Sequence, residues 1–306
     1  MSLKDLFKFR KQRPRRTSPQ TELMSEEDIS ELWTQCPACK TVNYNADLKA
    51  NLKVCKNCQH HFRISSYERI EFLIDAGSWD ELNGNIRPSD PLNFVDLKPY
   101  TRSLEDAKKR AGTTEAIVTG VGKIQGYDLA LGVMEFAFLG GSMGSVVGER
   151  IACLVDTAIE RKLPLILVSS SGGARMHEGL FSLMQMAKTA TALAQLKKAG
   201  QLYISVLADP TYGGVSASYA MLGDIIIAEP GAKIGFAGPR VIEETIRQKL
   251  PKDFQTSEYM LEHGQIDLVI PRKELKSQIT QLIRLHQPNN YHQDPHPTKQ
   301  VEQVHG

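Results

Sequence analysis

The chain of 306 residues lacks any run of about 18 uncharged apolar residues, so no membrane-spanning helix is expected. It also lacks net charge: 37 Lys and Arg oppose 35 Asp and Glu, leaving +2, so the molecule as a whole is not a polycation built around nucleic acid. The N-terminus has no apolar core of the kind a secretory signal needs. Cysteine is scarce and odd in number, five in all, which argues against a disulfide framework and for a reducing compartment. A cytoplasmic location is the resulting expectation.

What remains is ordinary for a globular protein: 41% hydrophobic and 24% charged residues, in a chain long enough for one large domain or two smaller ones. Basic charge is local. Residues 1–16 hold Lys4, Lys8, Arg10, Lys11, Arg13, Arg15 and Arg16 against Asp5 alone. This reads either as a solvated arm or as a short, Ser-poor relative of a transit peptide. Four parts are expected: a basic polar arm at 1–30, a four-cysteine module at 31–65, a main domain at 66–285, and a disordered polar tail at 286–306.

In the main domain, "EAIVTGVGKIQGYDLALGVMEFAFLG" (115–140) predicts two or three strands with a hairpin turn at Gly126. "SVVGERIACLVDTAIERKL" predicts a helix from Ile151, Leu154, Val155, Ala158 and Ile159, stopped by Pro164, with Cys153 as a core residue. "LPLILVSSS" and "LYISVLADP" read as buried strands. "FSLMQMAKTATALAQLKKAG", "GVSASYAMLGD" and "RVIEETIRQKL" read as helices. The alternation predicts an α/β domain with parallel strands and active groups at the strand C-termini.

Cys36, Cys39, Cys55 and Cys58 form a C-x2-C-x15-C-x2-C pattern. Two thiolate pairs on tight turns complete a tetrahedral zinc site with no open position, so the metal is expected to be structural. An iron site is the alternative ion, and His60 and His61 stand nearby as spare ligands. Lys40, Lys49, Lys53, Lys56 and Arg63 surround the module against Asp47, which suggests an acidic partner, nucleic acid or nucleotide phosphates, or simply a solvated surface.

The stretch "LVSSSGGARMHEG" runs from strand through glycine turn to helix, yet no lysine follows the glycines, so it is not a phosphate loop. Three functions are open from the residues. "GGSMG" (140–144) fits a nucleophile elbow with Ser142, followed by Asp224 or Asp267 and then His286, but few strands precede it. A zinc-ribbon nucleic-acid binder fits the module but not a main domain without a basic stripe. The third uses both glycine turns, "SSSGGAR" and "DPTYGGVSAS": backbone N–H groups at Gly172, Gly173, Gly213 and Gly214 could form an oxyanion hole. Arg175 either meets a substrate carboxylate or CoA phosphate, or pairs with Glu178 or another acid. His177 reads as a surface or capping residue, and Asp224 as a structural one.

"CPACK…VCKNCQHHFRI", "FLGGSMGSVVGERI", "SSSGGARMHEG" and "DPTYGGVSASYAMLGDIIIAEPGAKIGFAGPRVIE" together closely resemble the carboxyltransferase beta subunits of bacterial and plastid multisubunit acetyl-CoA carboxylase, over residues 30–285. The resemblance implies a crotonase-like (ClpP/crotonase) ββα superhelix after a small zinc ribbon with one structural Zn(2+) per chain. It implies carboxyl transfer from carboxybiotin, borne by a biotin carboxyl carrier protein, to acetyl-CoA, giving malonyl-CoA for fatty-acid synthesis. The implied partners are a carboxyltransferase alpha subunit in an α2β2 assembly and a biotin carboxylase that uses ATP, with nucleic acid secondary. A plastid stroma replaces the cytoplasm if the source is a photosynthetic eukaryote. The oxyanion glycines of the family resemble Gly213 and Gly214 most closely. With biotin acting as the base, the protein need supply no acid–base side chain.

Overall fold

The computed structural model describes residues 32–286. The expected arm at 1–30 and all of the tail after His286 lie outside the described residues. Strands β1 (Trp33–Gln35) and β2 (Val42–Tyr44) pair antiparallel and lead into helix α1 (Asn45–Ala50). Helix α2 (Ser66–Leu73) then opens on a capping box in which Ser65 and Glu68 satisfy each other's backbone amides.

The main sheet has seven strands in sequence order: β3 (Asp80–Leu82), β4 (Ile117–Ile124), β5 (Tyr127–Met134), β6 (Leu165–Ser171), β7 (Tyr203–Thr211), β8 (Ile225–Ala228) and β9 (Leu268–Val269). The first three pair antiparallel; from β5 onward every pairing is parallel. The β4–β5 hairpin turns at Gln125 and Gly126, both at positive φ, as the twist of a two-residue hairpin requires. Helix α3 (Tyr100–Ala111) precedes β4. Parallel neighbours need crossovers, and α4 (Ser145–Arg161), α5 (Leu180–Lys198) and α6 (Gly213–Ser216) supply the first three. Helices α7 (Pro239–Ile246) and α8 (Ser257–Glu262) lie between β8 and β9, and α9 (Arg272–His286) closes the described chain.

Strand side chains alternate between two cores, as a period of two dictates. Leu165 and Leu167 of β6 pack with Val147, Ile151, Leu154 and Val155 of α4 on one face. Ile166 and Val168 pack on the other with Ile70 and Leu73 of α2 and with Leu275, Ile279 and Ile283 of α9. The last three recur every four residues, the stripe that one helix face needs. Parallel strands buried on both sides read in sequence as unbroken apolar runs, which is how β6 and β7 were recognisable. No helix among the described residues is long and apolar enough to cross a membrane.

Two local expectations are corrected. "GVSASYAMLGD" is not one helix: α6 ends after a single turn and a 3-10 turn follows at Tyr219–Met221. Ser216 and Ser218 donate their hydroxyls to the carbonyls of Gly213 and Gly214, at 2.9 and 2.6 Å, which competes with continued helix. Helix α7 stops at Ile246 because Arg247 turns left-handed (φ 54°). The β4–β5 hairpin with α4 after it forms a ββα unit, and isolated parallel bridges join Met143 with Ala174 and Thr211 with Ile234.

Candidate active site and metal centre

Each C-x2-C pair sits on a knuckle of the same design. The Cys36 N–H donates to Thr41 O and the Lys40 N–H to Cys36 O; likewise the Cys55 N–H donates to His60 O and the Gln59 N–H to Cys55 O. Lys40 and Gln59 both take positive φ, 63° and 60°. The turns aim all four sulfurs at one point, within 4.8 Å of one another. Cys36 and Cys58 Sγ are 3.6 Å apart, Cys39 and Cys55 Sγ 3.7 Å. A zinc ion with bonds of about 2.3 Å gives a tetrahedron with edges of about 3.8 Å, so the cluster fits the ion. Hydrogen bonds from Asn57, and then Thr41, draw the Cys39 thiol down to about 5, while burial pushes the Cys58 thiol up to about 12. His61 points elsewhere, to Pro230 O (3.4 Å) and the Arg272 N–H (3.3 Å), and is not needed as a ligand. The purified protein is expected to carry about one zinc per chain, measured by atomic absorption; a chelator that strips it should melt the β1–β2 module first, because the site has little else to fold around.

The basic surface of the module is largely spoken for. Lys53 pairs with Glu68 (2.7 Å), Lys56 with Asp47 (3.2 Å), and Arg63 with Asp209 (3.4 Å). The Lys40 ammonium donates to Pro37 O (2.8 Å).

The two glycine bends meet at the C-terminal ends of β6 and β7. The strand register carries Ser171 opposite Thr211, and the Tyr212 N–H donates to Ser171 O at 2.9 Å. Gly173 and Gly213 both have positive φ, 125° and 59°. A Cβ on Gly173 would lie 3.2 Å from Gly213 Cα, and one on Gly213 would lie 3.0 Å from Gly173 Cα. Side chains at either position would drive the bends apart, so glycine is required by both conformation and approach.

Three of the four expected oxyanion donors are already occupied. The Gly172 N–H donates to Gly140 O (2.9 Å), the Gly173 N–H to Ser171 Oγ (3.0 Å), and the Gly213 N–H to Phe236 O (2.9 Å). The expectation therefore narrows to Gly214. As the second residue of α6 it has no intrahelical acceptor, and no described residue takes its N–H. The same holds for Ala174, just beyond the other bend, which reading the sequence missed. The two amides are close: a Cβ on Gly214 would sit 3.5 Å from Ala174 N, and one on Gly173 3.5 Å from Gly214 N. Because α6 is a single turn, hydrogen bonding rather than a helix dipole carries any attraction for an anion.

Arg175 directs its guanidinium to partners inside the protein. Its side chain is fully buried, in a bidentate ion pair with Glu115. It also donates to Glu178 Oε1 (3.2 Å), Tyr100 Oη (3.1 Å), Ser142 Oγ (3.2 Å) and Ser142 O (2.8 Å), which leaves its fork no donor for a ligand. Burial opposes its charge, but Glu115 outweighs burial and raises the guanidinium further above its ordinary value. Burial alone would raise Glu178, whereas bonds from Ser145, Tyr100 and Arg175 hold its carboxyl below the usual range. Since the Ser145 N–H donates to Glu178 (2.6 Å), this network fastens the Gly172–Ala174 bend to the first turn of α4.

Ser142 thus accepts from Arg175, and no histidine among the described residues hydrogen-bonds it. Asp224 accepts from the Tyr203 N–H (3.0 Å) and Asp267 from the Ile226 N–H (2.7 Å), both structural, while His286 ends α9 against Leu282 O. The nucleophile-elbow expectation falls. His177 is neither capping nor free at the surface: its ring stacks on Tyr100 at 4.9 Å and meets Phe94 edge-on at 5.4 Å. Cys153 is half-buried on α4, with Glu149 as its polar neighbour.

Residues 63–305 match the carboxyl transferase domain family, and residues 33–58 the acetyl-CoA carboxylase zinc finger domain. The chain is 54% identical over 289 residues to the acetyl-coenzyme A carboxylase carboxyl transferase subunit beta of Microcystis aeruginosa, covering 94% of this chain and 90% of that one. It is 52% identical over 291 residues to the protein of the same name from Synechococcus elongatus, covering 95% and 94%. Among solved structures it is similar to the transcarboxylase 12S hexamer core (TM-score 0.61, 25% identity, 72% of this chain), of which it spans only 40%. It shares a fold with a Pseudomonas malonate decarboxylase hetero-dimer (TM-score 0.56, 24% identity, 72% of this chain and 86% of that one).

Proposed function

The chain belongs to the carboxyl transferase domain family, and on that premise we infer that it is the carboxyltransferase beta subunit of acetyl-CoA carboxylase, which transfers a carboxyl group to acetyl-CoA to give malonyl-CoA. Its fold is crotonase-like, preceded by a ribbon whose four cysteines hold a structural zinc. The observation that carries the mechanism is the pair of adjacent, unpaired amides of Gly214 and Ala174 where the two glycine bends meet.

The donor carboxybiotin, brought on the biotin carboxyl carrier protein, supplies both the carboxyl group and the base for the methyl proton. What the polypeptide contributes is stabilisation of negative oxygen. The Gly214 N–H, with the Ala174 N–H beside it, donates to one of the two oxygens that gain charge, the thioester enolate or the biotin ureido oxygen. An alpha subunit supplies the facing hole. The remaining glycine amides, Gly172, Gly173 and Gly213, serve by holding the bends rigid, and Arg175 by locking the loop that carries Ala174. A donor fixed before reaction needs no reorganisation when charge develops.

Assembly with an alpha subunit as α2β2, and with a biotin carboxylase that uses ATP, belongs to the same proposal. It is supported by α5, whose first turns are inverted: Ser182, Gln185 and Thr189 are buried while Leu180, Phe181, Leu183 and Met184 are exposed. Such an apolar patch beside the bends marks a covered surface. The division into a ribbon at 31–65 and a carboxyltransferase domain at 66–285 is likewise proposed. The test mixes the chain with its alpha partner, carboxylated carrier and acetyl-CoA, and assays malonyl-CoA. Product is expected from the mixture and none from this chain alone; no product from the full mixture overturns the function, and product without the partner overturns the shared site.

A further inference from the structure

We propose that Arg63, which leads out of the four-cysteine module, is a positioning residue for carboxyl transfer: it holds the end of β7 so that the Gly214 amide faces the reacting oxygen. The proposal rests on the carboxyl-transfer reading above and adds a residue to it.

Arg63 reaches from the module to the sheet. Its Nε donates to Asp209 O at 3.3 Å and its Nη2 to Asp209 Oδ2 at 3.4 Å, while the guanidinium lies 4.0 Å from the centre of the Phe136 ring. The segment before it is anchored on both sides. The Phe62 N–H donates to Lys53 O at 2.9 Å within the module. His61 accepts the Arg272 N–H and bonds Pro230 O at the end of β8. Arg272 donates to Leu52 O (2.8 Å) and grips the buried Glu229, which Arg69 also holds at 2.8 Å. Burial would raise the Glu229 carboxyl, and the two arginines outweigh it and keep it ionised. Arg63 is therefore mounted on a rigid base rather than waving in solvent.

Its target is a junction. Asp209 O also accepts the Ser170 hydroxyl (3.1 Å) from the end of β6, and Asp209 Oδ1 accepts the Lys233 N–H (3.2 Å). Beyond Asp209, the Thr211 N–H donates to Lys233 O (2.8 Å) and the Gly235 N–H to Thr211 O (3.1 Å). The next residue, Phe236, provides the carbonyl that occupies the Gly213 amide. Two of the arms that set the orientation of Gly213–Gly214 thus pass through Asp209, and Arg63 is the cation on its carboxylate.

The pair is partly exposed, with side chains 52% and 38% accessible, so screening leaves it little weight in overall stability. Small displacements at a reacting centre have far larger kinetic effects, of the order of a hundredfold per ångström. Stability and turnover should therefore separate. In the full assembly, Arg63→Gln is expected to lower kcat by about tenfold or more at unchanged KM for acetyl-CoA. Zinc content, Tm and association with the alpha partner stay as in the wild type. Arg63→Lys recovers part of the loss, because an ammonium meets the carboxylate but lacks the fork that also reaches the carbonyl. Asp209→Asn lowers kcat as well, and the double variant is no worse than the poorer single one. A wild-type kcat in Arg63→Gln, an effect confined to KM, or single losses that multiply in the double variant would each overturn the proposal. Failure of the wild-type assembly to make malonyl-CoA would instead remove the carboxyl-transfer reading.

Discussion

Gly214→Pro is expected to cut carboxyl transfer by about 10²–10³-fold, the loss usual for one oxyanion donor, or about 2.7–4 kcal/mol in the transition state. Proline removes the one glycine amide of the four that the protein leaves unpaired. At the second position of α6 that amide has no structural bond to lose, and proline is tolerated in a first helical turn, so folding should survive. Steric crowding is controlled separately. A Cβ at Gly214 would lie 3.1 Å from Met186 Sδ and 3.2 Å from Ala174 Cβ, contacts that Gly214→Ala introduces while keeping the N–H. The alanine variant should lose far less activity than the proline variant. Malonyl-CoA formation by both, alongside sedimentation of each with the alpha partner, checks this; equal losses in the two would mean that space and not the amide is what matters.

Arg175→Met should destabilise the chain by about 3–5 kcal/mol, because removing one member of a buried ionic network strands the others without compensation. Glu115 and Glu178 would keep their burial and lose the guanidinium that meets them both. The measurement is urea unfolding followed by circular dichroism, compared with the wild-type midpoint. Adding Glu115→Gln to Arg175→Met should restore part of the loss, since a neutral amide is less costly to leave in the core than a carboxylate. A variant that unfolds with the wild-type midpoint but needs more acetyl-CoA would return Arg175 to the substrate.

The contrast between Arg175 and the cysteines shows what is legible in a sequence. Each cysteine pair makes its own knuckle within a few residues, so spacing alone predicts where the sulfurs point. The β4–β5 hairpin at Gly126 and the α4 helix are local in the same way, and both stand where the pattern places them. Arg175 has acidic candidates on its own loop, yet its bidentate partner is Glu115, 60 positions upstream. Nothing in the spacing around either residue announces that pairing. Helix α6 failed for a related reason: its residues permit a helix, and hydroxyls of Ser216 and Ser218 claim the carbonyls instead.

From the order of residues alone came the zinc site, the alternation of strands and helices, the glycine bends and the family to which the chain belongs. These rest on short-range geometry and on motifs long enough to be specific. The folded chain alone decided which glycine amide is available, because Gly140, Ser171 and Phe236 supply acceptors for Gly172, Gly173 and Gly213 and none for Gly214. An N–H is a donor to substrate only if no other acceptor reaches it first. That competition is settled in three dimensions, between segments that the sequence keeps apart.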